Sequence, residues 1–200
     1  MINEQKSREG NWAYENTGNN PASSNRGGGA NAGGNTGNFF GTTLQTVYEG
    51  ISNARGGDKT GVSVLEAVSS VVRPVVRDSH APGASVVEGS KAIVLGVLKG
   101  TGEKDMAALK TLTHTVRTVI RETAHLNGDV AGAASGLVLG AIESTHLTGV
   151  DASSAVSAVS RAAMEEANQI GASAAEKVRE TLKKKEIGGV RIPTPGPNQG

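Results

Sequence analysis

Along the middle of the chain, apolar residues return at every third or fourth position. Between 109 and 126 the stripe is Leu109, Leu112, Val116, Val119, Thr123 and Leu126. Alternating steps of three and four put such residues on one face of an α-helix. The stripe recurs 44 positions earlier as Leu65, Val68, Val72, Val75, Ser79 and Pro82, and 44 later as Ser153, Val156, Ser160, Ala163, Ala167 and Ile170. Val, Ile and Thr are frequent here and suit strands, but the three–four spacing persists in two copies and predicts helix.

The periodicity belongs to a longer repeat. At an offset of 44, "VRPVVRD" (72–78) falls on "VRTVIRE" (116–122), and "AIVLGVLK" (92–99) falls on "GLVLGAIE" (136–143) without a gap. A further offset of 44 aligns Arg117 with Arg161, Glu122 with Glu166 and Leu126 with Ile170. A match of this kind points to duplication of a two-helix unit. The expected fold is all-α: three helical hairpins, at about 61–102, 105–148 and 150–187, forming a bundle or a short solenoid. "GTTLQTVYEGISNA" (41–54) adds one helix ahead of them, with Leu44, Val47, Tyr48 and Ile51 on one face.

Breaks within units fall at "HAPGAS" (80–85), "LNGD" (126–129) and "IGAS" (170–173). Glycine ends a helix, and a neighbouring Asp or Ser caps the next. Breaks between units fall at "KGTGEKD" and "HLTGVD", making Asp105 and Asp151 the expected N-caps. The third unit could also run as one helix through Gly171. Pro74 lies inside the first helix of the first unit, where it removes a donor and favours a kink. Residues 1–41 are rich in Gly, Asn and Ser and have no apolar period, so a disordered tail is expected ahead of a 42–187 helical domain. Prolines in 188–200 predict a second, extended tail.

Gly128, Gly132, Gly136 and Gly140 stand four apart, and Gly96 matches Gly140 in the first unit. A helical glycine costs about 1 kcal/mol relative to alanine. At this spacing the glycines form a winding groove that lets another helix come close. The second helix of the second unit, apolar on its other sides too, is the expected centre of the bundle. The row resembles a glycine zipper, as in membrane-associating and oligomerising helices. The chain also resembles Ala/Gly-rich bacterial helical repeat proteins of unknown function, a likeness that implies no activity or functional residues.

Composition narrows the function. Twenty basic residues oppose 19 acidic ones, so no global field favours nucleic acid. There is no cysteine, which removes thiol chemistry and Cys-ligated zinc. The aromatics Trp12, Tyr14, Phe39, Phe40 and Tyr48 all precede residue 49, leaving a core of small aliphatic residues. There is no secretory leader and no apolar run of spanning length, so a cytoplasmic protein is expected, with membrane association as the alternative.

Candidate chemistry is sparse. His80, His114, His125 and His146 include no pair at zinc-helix spacing, and no phosphate loop or nucleophile elbow is present. Arg73, Arg77, His114, Arg117 and Arg121, extended by Arg161, form a basic stripe suited to an anionic partner. Asp78, Glu122, Glu165 and Glu166 stand near enough to neutralise it, and no aromatics interleave it, so specific nucleic-acid binding is not expected. The reading is a non-enzymatic structural or interaction protein without cofactor or metal, self-associating through its glycine faces. The alternative inserts the glycine-rich hairpins into a membrane or lipid surface.

Overall fold

The computed structural model describes residues 36–56, 63–79, 84–184, 186–187 and 190–191. Trp12, Tyr14, His80, the "HAPG" of the first break and most of both expected tails lie outside the described residues. Those described belong to one compact unit within Gly34–Gly200.

Among the described residues, eight helices follow one another: α1 (Thr36–Gly56), α2 (Val64–Asp78), α3 (Val86–Thr101), α4 (Asp105–His125), α5 (Val130–Glu143), α6 (Thr145–Thr148), α7 (Ala152–Ile170) and α8 (Ala172–Leu182). The three sequence units thus occupy α2–α3, α4–α5 and α7–α8. The short α6 is an addition that the periodicity did not indicate. Strands β1 (Glu186–Ile187) and β2 (Val190–Arg191) pair antiparallel. The boundary drawn at 187 therefore falls between two paired strands, rather than at the start of an extended tail.

Local chemistry explains four of the helix starts. Ser63 and Glu66 form a reciprocal capping box at α2. Ser85 accepts from the Glu88 amide at α3, Asp129 from the Ala131 and Gly132 amides at α5, and Asp151 from Ser154 at α7. Asp105 is not a cap. An N-cap residue needs extended backbone, and Lys104 supplies it (φ −125°, ψ 162°), with no side-chain cap bond. Asp105 is instead the first helical residue, at φ 49°. α2 continues through Pro74. The third unit breaks at Gly171, whose φ of 146° favours glycine, so α7 and α8 are separate.

α1 begins at Thr36, five residues before the sequence reading placed it. The reason is tertiary. Phe39 and Phe40 are half-buried, Phe39 lies beside Gly89 of α3, and the Lys91 ammonium stands 5.2 Å from the Phe40 ring centre. Contacts with α3 offset the poor helix propensity of the Gly/Asn-rich start.

The helices form two layers. In one, α2 packs on α4 and α4 on α7; in the other, α1 packs on α3, α3 on α5 and α5 on α8. The first and second helices of successive units are therefore neighbours within a layer. α1 takes the place that the second helix of a preceding unit would hold. The centre is shared: α3 and α5 are both inner helices of their layer. The core between the layers is nearly all Val, Leu, Ile and Ala, including Val68, Ile93, Val116, Ile120, Leu137 and Val159.

Buried hydroxyls are mostly satisfied within their own helix. Thr115 donates to the Thr111 carbonyl and Thr118 to that of His114, which makes threonine-rich α4 compatible with burial. Among the described residues Thr123 is the exception: its Oγ1 is buried without a hydrogen-bond partner there. An unmet hydroxyl carries a desolvation penalty of about 1–3 kcal/mol. Thr123→Val, which keeps the shape, is expected to raise the urea midpoint by an amount equivalent to about 1 kcal/mol. A lower midpoint would show that the hydroxyl is satisfied.

Candidate functional site

Residues of the basic stripe lie on the α2–α4–α7 layer, and several serve as rungs between its helices. Arg73 Nε is 3.2 Å from Glu122 Oε1 on α4. Arg117 Nη2 donates to Glu165 of α7 at 2.6 Å. Arg121 donates from Nε and Nη2 to the two Glu166 oxygens at 2.6 and 3.0 Å. His114 Nε2 is 2.7 Å from the Ser69 hydroxyl of α2. Arg77 is exposed and makes no ion pair among the described residues. Of the acidic neighbours seen in the sequence, Glu122, Glu165 and Glu166 pair with cations on adjacent helices rather than along one, whereas Asp78 forms no ion pair among the described residues.

Burial separates the rungs. The Glu166 side chain is only 3 % exposed and Glu122 11 % exposed, whereas both partners in the Arg117–Glu165 pair are nearly half exposed. The bidentate hydrogen bonding to Glu166 raises the Arg121 pKa above its usual value, against the opposing effect of burial. The two buried carboxylates are structural anchors, and the exposed Arg117 pair contributes little to stability.

His114 has a lowered pKa. Partial burial is the main cause, reinforced by Arg121, Arg117 and Arg73 and opposed by its hydrogen bond to the Leu65 backbone. The unfolded chain therefore takes up this proton at a higher pH than the folded chain. The contribution to stability is complete above the usual 6.5 and is lost as pH falls through the folded pKa. Urea midpoints between about pH 5 and about pH 8 should show this loss on acidification, and His114→Gln should remove that component. An unchanged slope in the variant would rule it out.

Three stripe members also border a groove of about 330 Å³ that crosses all three helices of the layer. Leu65 comes from α2, Met106 and Leu109 from α4, and Ala158 from α7; Lys110, His114, Arg117 and Arg161 add polar groups. Among the described residues, no carboxylate lines it. Arg73, Arg77 and Arg121 are not among its lining residues. The sequence reading missed Met106 and Lys110 as surface-forming residues, and it placed Leu109 in the core stripe, whereas Leu109 is only partly buried and lines the groove at the edge of that stripe.

The glycine row has a different place. Gly132, Gly136 and Gly140 lie on α5, and Gly136 and Gly140 face α3: a Cβ on Gly136 would meet the Val87 carbonyl and Ser90, and one on Gly140 would lie 2.8 Å from Val94 Cβ. Gly96 faces α1, 2.8 Å from Val47 Cβ by the same construction. Gly128 is not part of the helical row. It lies in the α4–α5 link, where its amide donates to the Thr123 carbonyl at 2.8 Å. Asn127, at φ 53°, takes the left-handed position, and the Asn127 amide donates to Ala124. This pair of bonds closes the end of α4, so Gly128 terminates one helix before α5 begins.

A second groove, of about 390 Å³, lies at the hairpin ends and is lined by Gly128, Ile170, Gly171 and Lys177 among others. Among the described residues, no group of three or more His, Asp or Glu side chains is placed to hold a metal ion. Compared with protein-family models, curated proteins and solved structures, this chain matches none.

Proposed function

We propose that this chain is a non-enzymatic structural and interaction protein, built from three copies of a 44-residue helical hairpin that stack to present surfaces to other proteins. The observation that supports this reading is the way successive units are joined. First helices are linked by the Arg73–Glu122 and Arg121–Glu166 pairs, second helices by the glycine contacts of α5 on α3. Unit-to-unit joints of this kind hold helical-repeat scaffolds together. The argument from architecture to scaffold is a fold-level analogy.

Self-association takes a changed form in this proposal. Gly96, Gly136 and Gly140 lie against helices of their own chain, so a second copy would use another face. Leu126 and Ile170, equivalent by the repeat and each 39 % exposed, offer apolar surface at the hairpin ends. For the membrane alternative, no helix among the described residues is long and apolar enough to cross a bilayer.

The test is cross-linking of the full chain in its native cells, combined with light scattering of the purified protein. Cross-links to protein partners through exposed helix faces support the reading. A mass that rises above 20.3 kDa with concentration, and falls back in a Leu126→Ser/Ile170→Ser variant, adds self-association. A tightly held small molecule that the chain converts to product would overturn the non-enzymatic reading.

A further inference from the structure

We propose that the groove across α2, α4 and α7 docks an acidic peptide segment anchored by aliphatic side chains. The proposal rests on the reading of this chain as an interaction protein and names the partner that one of its surfaces suits. Three observations carry it.

The first is apolar content in a place open to a partner. Leu65 and Leu109 are only partly buried, and Met106 at the groove is 75 % exposed, the most exposed large hydrophobic residue among those described. An unbranched, polarizable methionine adapts to varied partner side chains.

The second is charge. Lys110 and Arg161 line the groove and form no ion pair among the described residues, and no acidic side chain shares the lining. Arg117 is held by Glu165, but that pair is exposed, and an incoming carboxylate can compete for it at small cost. The groove therefore offers cations beside an apolar floor, complementary to carboxylates flanking a leucine or similar residue.

The third is size and shape. From Met106 to Arg117 the α4 edge of the groove runs about 16 Å at about 1.5 Å per residue. That length matches about five residues of extended peptide. A lone inorganic anion would leave the leucines and methionine uncovered. Nucleic acid would find no aromatic platform for its bases.

The probe is a fluorescein-labelled hexapeptide, Glu-Leu-Glu-Glu-Leu-Glu, titrated with the full chain and followed by fluorescence anisotropy. The control is Lys-Leu-Lys-Lys-Leu-Lys. The acidic peptide should bind, the basic one should not, and added salt should weaken binding. Lys110→Glu/Arg161→Glu should reduce affinity about tenfold or more, and Met106→Ser should reduce it several-fold. All three residues are exposed or at the rim, so unchanged melting temperatures would separate lost docking from lost folding. Equal binding of both peptides, binding indifferent to these variants, or preferential binding to phosphatidylglycerol vesicles that the same variants abolish would each overturn the proposal. Native-cell cross-links through another face, with no acidic-peptide binding, would refute the groove while leaving the interaction reading intact.

Discussion

Gly136→Ala is expected to lower the unfolding free energy by about 3 kcal/mol, the upper part of the usual range for overpacking. The added methyl overlaps the backbone carbonyl of Val87 and approaches Ser90 Cβ within 2.9 Å. Backbone cannot rotate away as a long side chain can, so α5 must move off α3. Because α3 also supports α1, the displacement reaches the next joint of the layer. Gly140→Ala and Gly96→Ala should follow with smaller losses, since their nearest neighbours are Val94 and Val47 side chains, with carbonyls at 3.0 and 2.9 Å. Gly132→Ala meets chiefly the Asp129 carboxylate, which can shift while weakening its cap. Gly41 on α1 has nothing within 4 Å of an added Cβ. Gly41→Ala is the control and should be neutral or stabilising by up to about 1 kcal/mol through helix propensity. Urea unfolding of the five variants checks the ranking. Equal midpoints for Gly136→Ala and Gly41→Ala would show that the helices are not in close contact.

Arg121→Met is expected to destabilise the protein by about 2–3 kcal/mol at neutral pH. Breaking a buried pair by deleting one partner costs about 3–5 kcal/mol; the reduction reflects the 44 % exposure of the Arg121 side chain, which solvent already screens. The loss arises at Glu166, left charged and buried on α7. Arg121→Met/Glu166→Leu removes both charges and should recover most of the stability. Chemical unfolding at neutral pH, run as a double-mutant cycle, measures the coupling. A single variant as stable as the parent would mean that this rung does not join α4 to α7. Arg117→Met, by contrast, should change stability by less than about 1 kcal/mol, because its pair is exposed.

Several features of this architecture were readable from residues alone. The stripe of Leu112, Val116 and Val119 is buried, as are its counterparts Val68, Val72 and Val75. Asp129 and Asp151 cap the helices they precede. These outcomes depend on neighbours within one or two turns, where spacing and side-chain chemistry act directly. Local readings failed where alternatives were close in energy. Asn127 rather than Gly128 took the left-handed position at the end of α4, and Lys104 rather than Asp105 took the extended position before it. The extra turns of α1 came from Phe39 and Phe40 against α3, a contact about 50 residues away in sequence.

The candidate site was less legible. His114, Arg117 and Arg161 were visible as a basic series, and Glu165 and Glu166 as its neutralisers. What remained hidden was which cation each carboxylate would hold, and that Lys110 and Arg161 would face a shared groove without a carboxylate. Met106 and Leu109 gave a usable spacing signal, but a surface between helices exists only once the helices are placed.

By itself, the sequence determined that this protein is helical, where most of its helices stop, and which stripe of each enters the core. Periodicity, capping and glycine placement act over a few residues, so they survive without knowledge of the fold. The tertiary structure alone decided that the glycines of α5 meet α3, that Glu166 is buried beneath Arg121, and that a cationic groove opens across α2, α4 and α7. Those outcomes depend on the order of helices within two layers. That order is set by packing between segments far apart in the chain, where many pairings share the same local pattern and only their combined fit distinguishes them.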